Sequence, residues 1–195
     1  IDYLPEGAKL IKKDINDLTY DDIGEIQYCV NFAAESHVDN SIDDGSPFVK
    51  TNINGTFHLL ELCRKMKNFK KFVQISTDEV YGDITDGEHI ETDILKPSNP
   101  YSASKASADM LIFAWARTYG IKYLILRPTN NYGTGQYPEK LIPICVKQLQ
   151  RKKKIRLHDR GEPVRNWLHS ADTATAVTTI IESGVTNEIF NVAGG

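Results

Sequence analysis

The strongest constraint on this chain is a rhythm, in which short apolar runs alternate with longer stretches whose apolar residues recur at helical spacing. Residues 28–34 and 71–77 read as strands buried on both faces. Between them Ser46 is placed to cap a helix with Pro47 at its first position, where the missing N–H costs nothing. Val49, Ile53, Thr56, Leu60 and Cys63 follow at steps of three and four, predicting a helix that ends near residue 66. Pro100 opens a second helix that runs to Tyr119 and is stopped by Gly120, before a strand over 123–126. Further helices are expected over 20–26, 140–150 and, after a Ser170 cap, 171–181. Strands are expected over 9–12, 155–157 and 189–192. Strands alternating with helices of this length predict a doubly wound α/β fold, a parallel sheet with helices on both faces. Ligands of such sheets sit beyond the carboxyl ends of the strands, so chemistry is expected just after Phe32, Ile75 and Leu126.

Composition narrows the class of function. Of 195 residues, 41% are hydrophobic and 25% charged, enough apolar side chains for a packed core. Lys and Arg number 23 against 26 Asp and Glu, a balance that argues against a nucleic-acid-binding coat. No apolar run approaches the roughly 20 residues of a membrane span, and no early segment has the pattern of a signal peptide. Cys29, Cys63 and Cys145 are odd in number and far apart in sequence, which fits buried free thiols in a reducing, cytoplasmic setting. The five histidines show no metal-ligand spacing, and no metal is expected.

Three short segments carry candidate chemistry. After the first long strand, Ala33 and Ala34 allow close backbone approach to a ligand, although alone they suit an ordinary loop equally well. After the next strand, Thr77-Asp78-Glu79 sets a hydroxyl beside two carboxyls, which in isolation also suits a solvent-facing turn. Context comes from Tyr101 and Lys105. Four residues apart on a helix, they share one face, and an ammonium near a phenol is expected to lower the Tyr pKa toward that of a general base. With Thr77 at the preceding strand end, they form a Thr–Tyr–Lys set suited to taking a proton from an alcohol during hydride transfer.

These segments, with Arg127-Pro128, Asn130-Asn131-Tyr132-Gly133, the run 137–143 and Arg165-Asn166-Trp167, occur in an order that resembles the extended short-chain dehydrogenase/reductases. Within them the chain is most similar to the dTDP-glucose 4,6-dehydratases, and Thr77-Asp78-Glu79 is the most specific element. The resemblance implies an NAD-dependent lyase acting on a nucleotide-linked glucose. Tyr101, with Thr77, removes the C4 hydroxyl proton as a hydride leaves for NAD+. Glu79 removes the C5 proton, Asp78 protonates the departing C6 hydroxyl, and the hydride returns to C6. Two carboxyls in different protonation states are then required, so their environments should push the pKa values apart. Cofactor contacts carried over by resemblance are Asp14, Ile15, Ala33, Ala34, Thr51, Tyr101, Lys105 and Asn131. Substrate contacts are Ser36, Thr77, Asn130, Lys140, Leu141, His158 and Arg165, the last suited to a diphosphate by its planar fork of donors. Asn166 stands where the family more often has Asp. A UDP-sugar epimerase or decarboxylase of the same superfamily, or a non-catalytic module, are the alternatives.

The resemblance further implies a Rossmann-type sheet over residues 1–128 as the NAD-binding portion. Over 129–195 it implies segments of a smaller substrate-binding domain, interleaved with the last Rossmann elements. No Gly-x-x-Gly-x-x-Gly loop is present, so the sequence as written is expected to start near the third strand, without the first βαβ unit. A homodimer is expected, paired through the helices that begin at Pro47 and Pro100.

Overall fold

The computed structural model describes residues 4–84, 86–157, 161–162 and 164–194. Four parallel strands form its main sheet, in the order β1 (Tyr28–Asn31), β2 (Lys71–Ile75), β3 (Tyr123–Pro128) and β6 (Glu188–Val192). Their register aligns Asn31 with Gln74, Gln74 with Ile125, and Ile125 with Ile189, so each row across the sheet points to one face. On one face Phe72 and Ile125 pack with Leu59, Leu60 and Cys63 of α4 (Gly55–Cys63) and Ile112 of α5 (Pro100–Tyr119). On the other, Val73, Leu124 and Leu126 pack with Val177 of α7 (Ser170–Glu182). Each such side chain, taken from water, contributes about 1.5–3 kcal/mol.

The helix α5 is bounded as its sequence predicts. Asn99 Oδ1 accepts from Ser102 N at 2.9 Å, Ser102 Oγ accepts from Asn99 N at 3.2 Å, and Pro100 fills the first turn. Gly120 ends the helix in the left-handed region at φ 73°, where a Cβ would be strained.

The preceding helical segment departs from expectation. It begins at Ser46 with Gly45 as its cap, and α3 (Ser46–Phe48) passes into a π-turn (Val49–Asn54) before α4. In a π-turn the hydrogen bonds reach one residue further than in an α-helix, so the inward stripe advances by four: Phe48, Asn52, Thr56, Leu60, each at most 2% exposed. Val49, expected on that stripe, is rotated outward and is 49% exposed. The helix ends at Cys63.

Other expectations need correction. Residues 9–12 and 155–157 form no strand, because no described segment lies alongside to complete a ladder. β1 is shorter than predicted and is not buried on both faces; as an edge strand beyond the reach of α7 it leaves Tyr28, Val30 and Phe32 exposed. A second sheet, β4 (Asn130–Tyr132) with β5 (Trp167–His169), was not anticipated. Among the cysteines only Cys63 is fully buried, while Cys29 and Cys145 are half-buried; all three are free thiols. The fold brings Cys29 into contact with Cys63, whose thiol is pushed up first by the Cys29 hydrogen bond and then by burial. The short helices α1 (Tyr20–Ile23) and α2 (Val38–Asp43), the ten-residue α6 (Leu141–Gln150) and 3-10 turns at Ile15–Asp17 and Asp78–Tyr81 complete the element order among the described residues. Among the described residues, no helix is long and apolar enough to cross a membrane.

Candidate active site

The site grows from the end of β2. Ser76 and Thr77 continue the strand, and a 3-10 turn, Asp78–Tyr81, follows at once. Thr77 caps this turn, its Oγ1 accepting from Glu79 N at 3.3 Å and donating to Asp78 Oδ1 at 3.2 Å. Gly82 closes it at φ 89°, and a Cβ there would lie 2.2 Å from the Lys96 carbonyl oxygen. Only glycine lets residue 96 come close enough for its N–H to reach Val80 O at 3.1 Å. Two acids are thereby held on a tight turn beside the strand end.

From the neighbouring helix α5, Tyr101 and Lys105 face the same place. The Tyr101 phenol lies beside Thr77 in one cleft, and its ring meets Phe48 edge-on at 6.3 Å. Lys105 is 2% exposed and donates to Ile75 O at 2.5 Å. The expected lowering of the Tyr101 pKa by Lys105 does not hold in this arrangement. Burial and then the charge of Glu79 push the phenol up, and the Lys105 ammonium is spent on a backbone carbonyl. Burial also pushes Lys105 itself down to about 8, opposed by Asp109 one turn further along α5.

Burial raises both Asp78 and Glu79, so the fold does not by itself separate them as expected. Their partners differ. Asp78 has the Thr77 hydroxyl and backbone N–H groups to favour its charge. Glu79 has the Asn99 amide at 3.4 Å and feels the charge of Asp78.

A cleft of about 630 Å³ opens beyond the strand ends and gathers most of the predicted residues. Thr77, Glu79, Tyr101 and Lys105 line one side, Ala34 and Ser36 come from the loop after β1, and Asn130, Asn131, Lys140, Leu141 and Arg165 line the other. Lys140 Nζ donates to Ser36 O at 2.9 Å across it. Asn131 is fixed by donating to Thr129 O at 2.9 Å and by accepting from Thr173 Oγ1. Ala33 lies beside the cleft, its N–H held by Asn31 Oδ1 at 3.2 Å.

Asp14, Ile15 and Thr51 are not brought to this cleft. Asp14 pairs with Lys50 of the π-turn at 3.3 Å, and Ile15 packs where Gly55 leaves room for it. Thr51 sits on the same π-turn. His158 lies outside the described residues. Asn166, in place of the family's Asp, uses both ends of its amide: Oδ1 accepts from Gly194 N at 2.8 Å and Nδ2 donates to Gly194 O at 3.0 Å. A carboxylate could make only the first.

Residues not foreseen also shape the site. Asn52 clamps the loop after β1, accepting from Glu35 N at 2.9 Å and donating to Glu35 O at 3.0 Å and to Ser104 Oγ at 2.8 Å. An Asn on the inward stripe of a helix was the available signal. Gln136, also in the cleft, donates to Asn131 O at 2.9 Å, while its Oε1 is buried without a hydrogen-bond partner among the described residues. Such an atom calls for a donor from a ligand or water. No group of three or more His, Cys, Asp or Glu that could hold a metal occurs among the described residues.

Parallel strands with helices on both faces, and a Thr–Tyr–Lys set at the strand ends, define a Rossmann-type α/β protein. The profile of the NAD dependent epimerase/dehydratase family matches residues 6–193, and the chain belongs to that family. It is 41% identical over 189 residues to the low-salt glycan biosynthesis protein Agl12 of Haloferax volcanii, covering 96% of this chain and 61% of that one. It is 40% identical over 189 residues to a dTDP-glucose 4,6-dehydratase of Streptomyces niveus, covering 96% of this chain and 56% of that one. The crystal structure of DesIV, a dTDP-glucose 4,6-dehydratase from Streptomyces venezuelae with NAD and TYD bound, superposes with a TM-score of 0.84 at 42% identity, covering 87% of this chain and 52% of that one. The chain thus spans a little over half the length of the relatives it matches.

Proposed function

We propose that this chain carries the reacting centre of an NAD-dependent dTDP-glucose 4,6-dehydratase. The observation that carries the reading is the convergence of Thr77, Glu79, Tyr101 and Lys105 with Asn130, Lys140 and Arg165 on one cleft, with Asp78 on the same turn. In this reading residues 1–128 are the cofactor-binding portion and 129–195 supply substrate-binding segments. The cleft fits the nicotinamide-ribose end of NAD: Lys105 and Asn131 would hold it, Ala34 leaves it room, and Gln136 Oε1 offers an unused acceptor. Bound NAD+ supplies a reversible hydride acceptor.

The protein's own groups move the protons. Tyr101 would take the C4 hydroxyl proton, with Thr77 hydrogen-bonding the same oxygen. In that role the burial and the Glu79 charge that hold the phenol up would have to be offset by the positive charge of the bound nicotinamide. A C4 ketone acidifies the C5 proton, which Glu79 removes. Asp78 gives a proton to the C6 hydroxyl, which departs as water, and burial of the pair helps keep one carboxyl protonated. Arg165, its charge felt at both acids, and Lys140 anchor the diphosphate. We further place the protein in the cytoplasm as a homodimer. The free thiols support the first, and the uncovered Phe57 of α4 and Met110 of α5 support the second.

The test is the mass of the product after incubation of the NAD-loaded protein with dTDP-glucose. Loss of one water is expected. An unchanged mass would mean epimerisation, and loss of carbon dioxide from a uronic acid substrate would mean decarboxylation; either overturns the reading.

A further inference from the structure

Behind the acid pair lies a polar network that the proton transfers above do not use. Tyr81, the last residue of the 3-10 turn, is 3% exposed, and its hydroxyl accepts from Arg127 at 2.8 Å and donates to Asn191 Oδ1 at 2.8 Å. Arg127 is the last residue but one of β3 and Asn191 lies opposite it on β6. The guanidinium also sits 4.9 Å from the Tyr81 ring centre and bonds Asp109 through two nitrogens, at 3.2 and 3.1 Å. Asp109 in turn accepts from Ser76 Oγ at 3.1 Å. Ser76 precedes Thr77, and Asp109 lies one turn beyond Lys105 on α5. His89 also stacks on the Tyr81 ring, with centroids 4.9 Å apart and planes 19° from parallel.

One hydroxyl thus ties the turn bearing the two acids to both strands that end beside it, through the buried Arg127 guanidinium and the half-buried Asn191 amide. At the other end the turn is held by the Thr77 cap, a group that also faces the reacting oxygen, by the Lys96 N–H on Val80 O and by the Asn99 amide on Glu79. We propose that Tyr81 is the positioning residue for the Asp78–Glu79 pair, its hydroxyl locked between Arg127 and Asn191 so that both carboxyls are held at a fixed height over the cleft. This assignment rests on the dehydratase reading for its catalytic consequence and on the network alone for its structural one.

The two are tested separately with Tyr81→Phe, which removes one oxygen and keeps the ring. In the NAD-loaded protein, single-turnover reduction of the nicotinamide, which depends on Tyr101 and Thr77, stays within about 2-fold of wild type. Exchange of the C5 proton with solvent and loss of water fall about 10-fold to 100-fold, the scale of a sub-ångström misplacement of reacting groups, with KM unchanged. Equal loss in all steps, or none in elimination, overturns the proposal. Carboxyl titration of Asp78 and Glu79 by 13C NMR needs no turnover, and both midpoints are expected to move in Tyr81→Phe. If they stay at the wild-type values, Tyr81 does not set the pair, whatever the reaction. A wild-type protein that turns over no nucleotide sugar, yet whose midpoints move in the variant, overturns the dehydratase reading and leaves the positioning role supported. If Tyr81→Phe does not fold, Asn191→Leu, which removes the acceptor of that hydroxyl together with the amide bond to His89 O at 3.0 Å, carries the same titration with the same outcomes.

Discussion

Lys105 shows what burial does to a single charge. Its side chain sits in a nearly dry setting with one carbonyl partner and the Asp109 carboxyl a turn away, and its pKa falls to about 8 from the ordinary lysine value. A lysine depressed in the folded state is charged in both states below that value, so the folded protein bears the full cost of burying the ammonium there. As pH rises above about 8, the folded state gives up its proton while the unfolded chain, with a lysine pKa of about 10.4, still holds one. Folding stability from this group therefore increases from about pH 8 to pH 10. Lys105→Met should flatten that rise, as read from urea midpoints across the window, and a rise equal to wild type would show that Lys105 is not its source. The Tyr–Lys spacing was legible in the sequence, since helical geometry alone puts both on one face. The outcome for the phenol was not, because it depends on burial and on the charge of Glu79, while the Lys105 ammonium is taken by the carbonyl of Ile75, thirty residues away.

At the scale of elements, the helix boundaries marked by Pro100 and Gly120 were legible, whereas the caps expected at Ser46 and Ser170 fall one residue late: the chain caps with Gly45 and with His169, whose Nδ1 accepts from Ala171 N. Asn99 closes the start of α5 and also reaches Glu79, so Asn99→Ala should lower stability by about 1 kcal/mol. The loss should appear as a lower urea midpoint with an unchanged slope. An unchanged midpoint would mean that Pro100 and the Ser102 hydroxyl suffice to set the helix start. Strands were read well where a partner exists on at least one side: β2, β3 and the edge strand β6 match to within two residues at either end, whereas residues 9–12 and 155–157 carry apolar patterns with nothing described beside them. The β4–β5 pair escaped notice for the converse reason. Asn130–Tyr132 is too short and polar to announce a strand, and its partner arrives only at Trp167.

Across the whole molecule, burial is graded from the middle of the sheet outward. β2 and β3 are almost wholly buried, β1 is covered on one face only, and α6 contains no buried residue. Native-state hydrogen exchange should follow that order, with the amides of β2 and β3 opening only on global unfolding and those of β1 and α6 exchanging through smaller, local openings. Uniform protection across the sheet would contradict it. Thr77, Asp78 and Glu79 lie at the carboxyl end of β2, one of the two most buried strands, with Tyr101 and Lys105 beside them on α5, which suits groups that must keep their spacing. The overall α/β layering followed from the alternation of apolar runs, and the position of the site followed from the layering. The Asn166 and Gln136 contacts did not, since each joins segments that only the folded chain brings together.

The π-turn has a consequence for how the chain tolerates gain and loss of residues. A π-turn holds the surplus of about one residue relative to an α-helix, and removing one from 49–54 would let ordinary helical hydrogen bonding resume. Each residue of an α-helix turns the chain by about 100°, so that deletion would swing Phe48 away from the core and unseat the Asn52 clamp while leaving Thr56, Leu60 and Cys63 in place. Relatives aligned through this helix are best compared with a one-residue gap permitted inside 49–54, the two flanks being drawn on separate helical wheels.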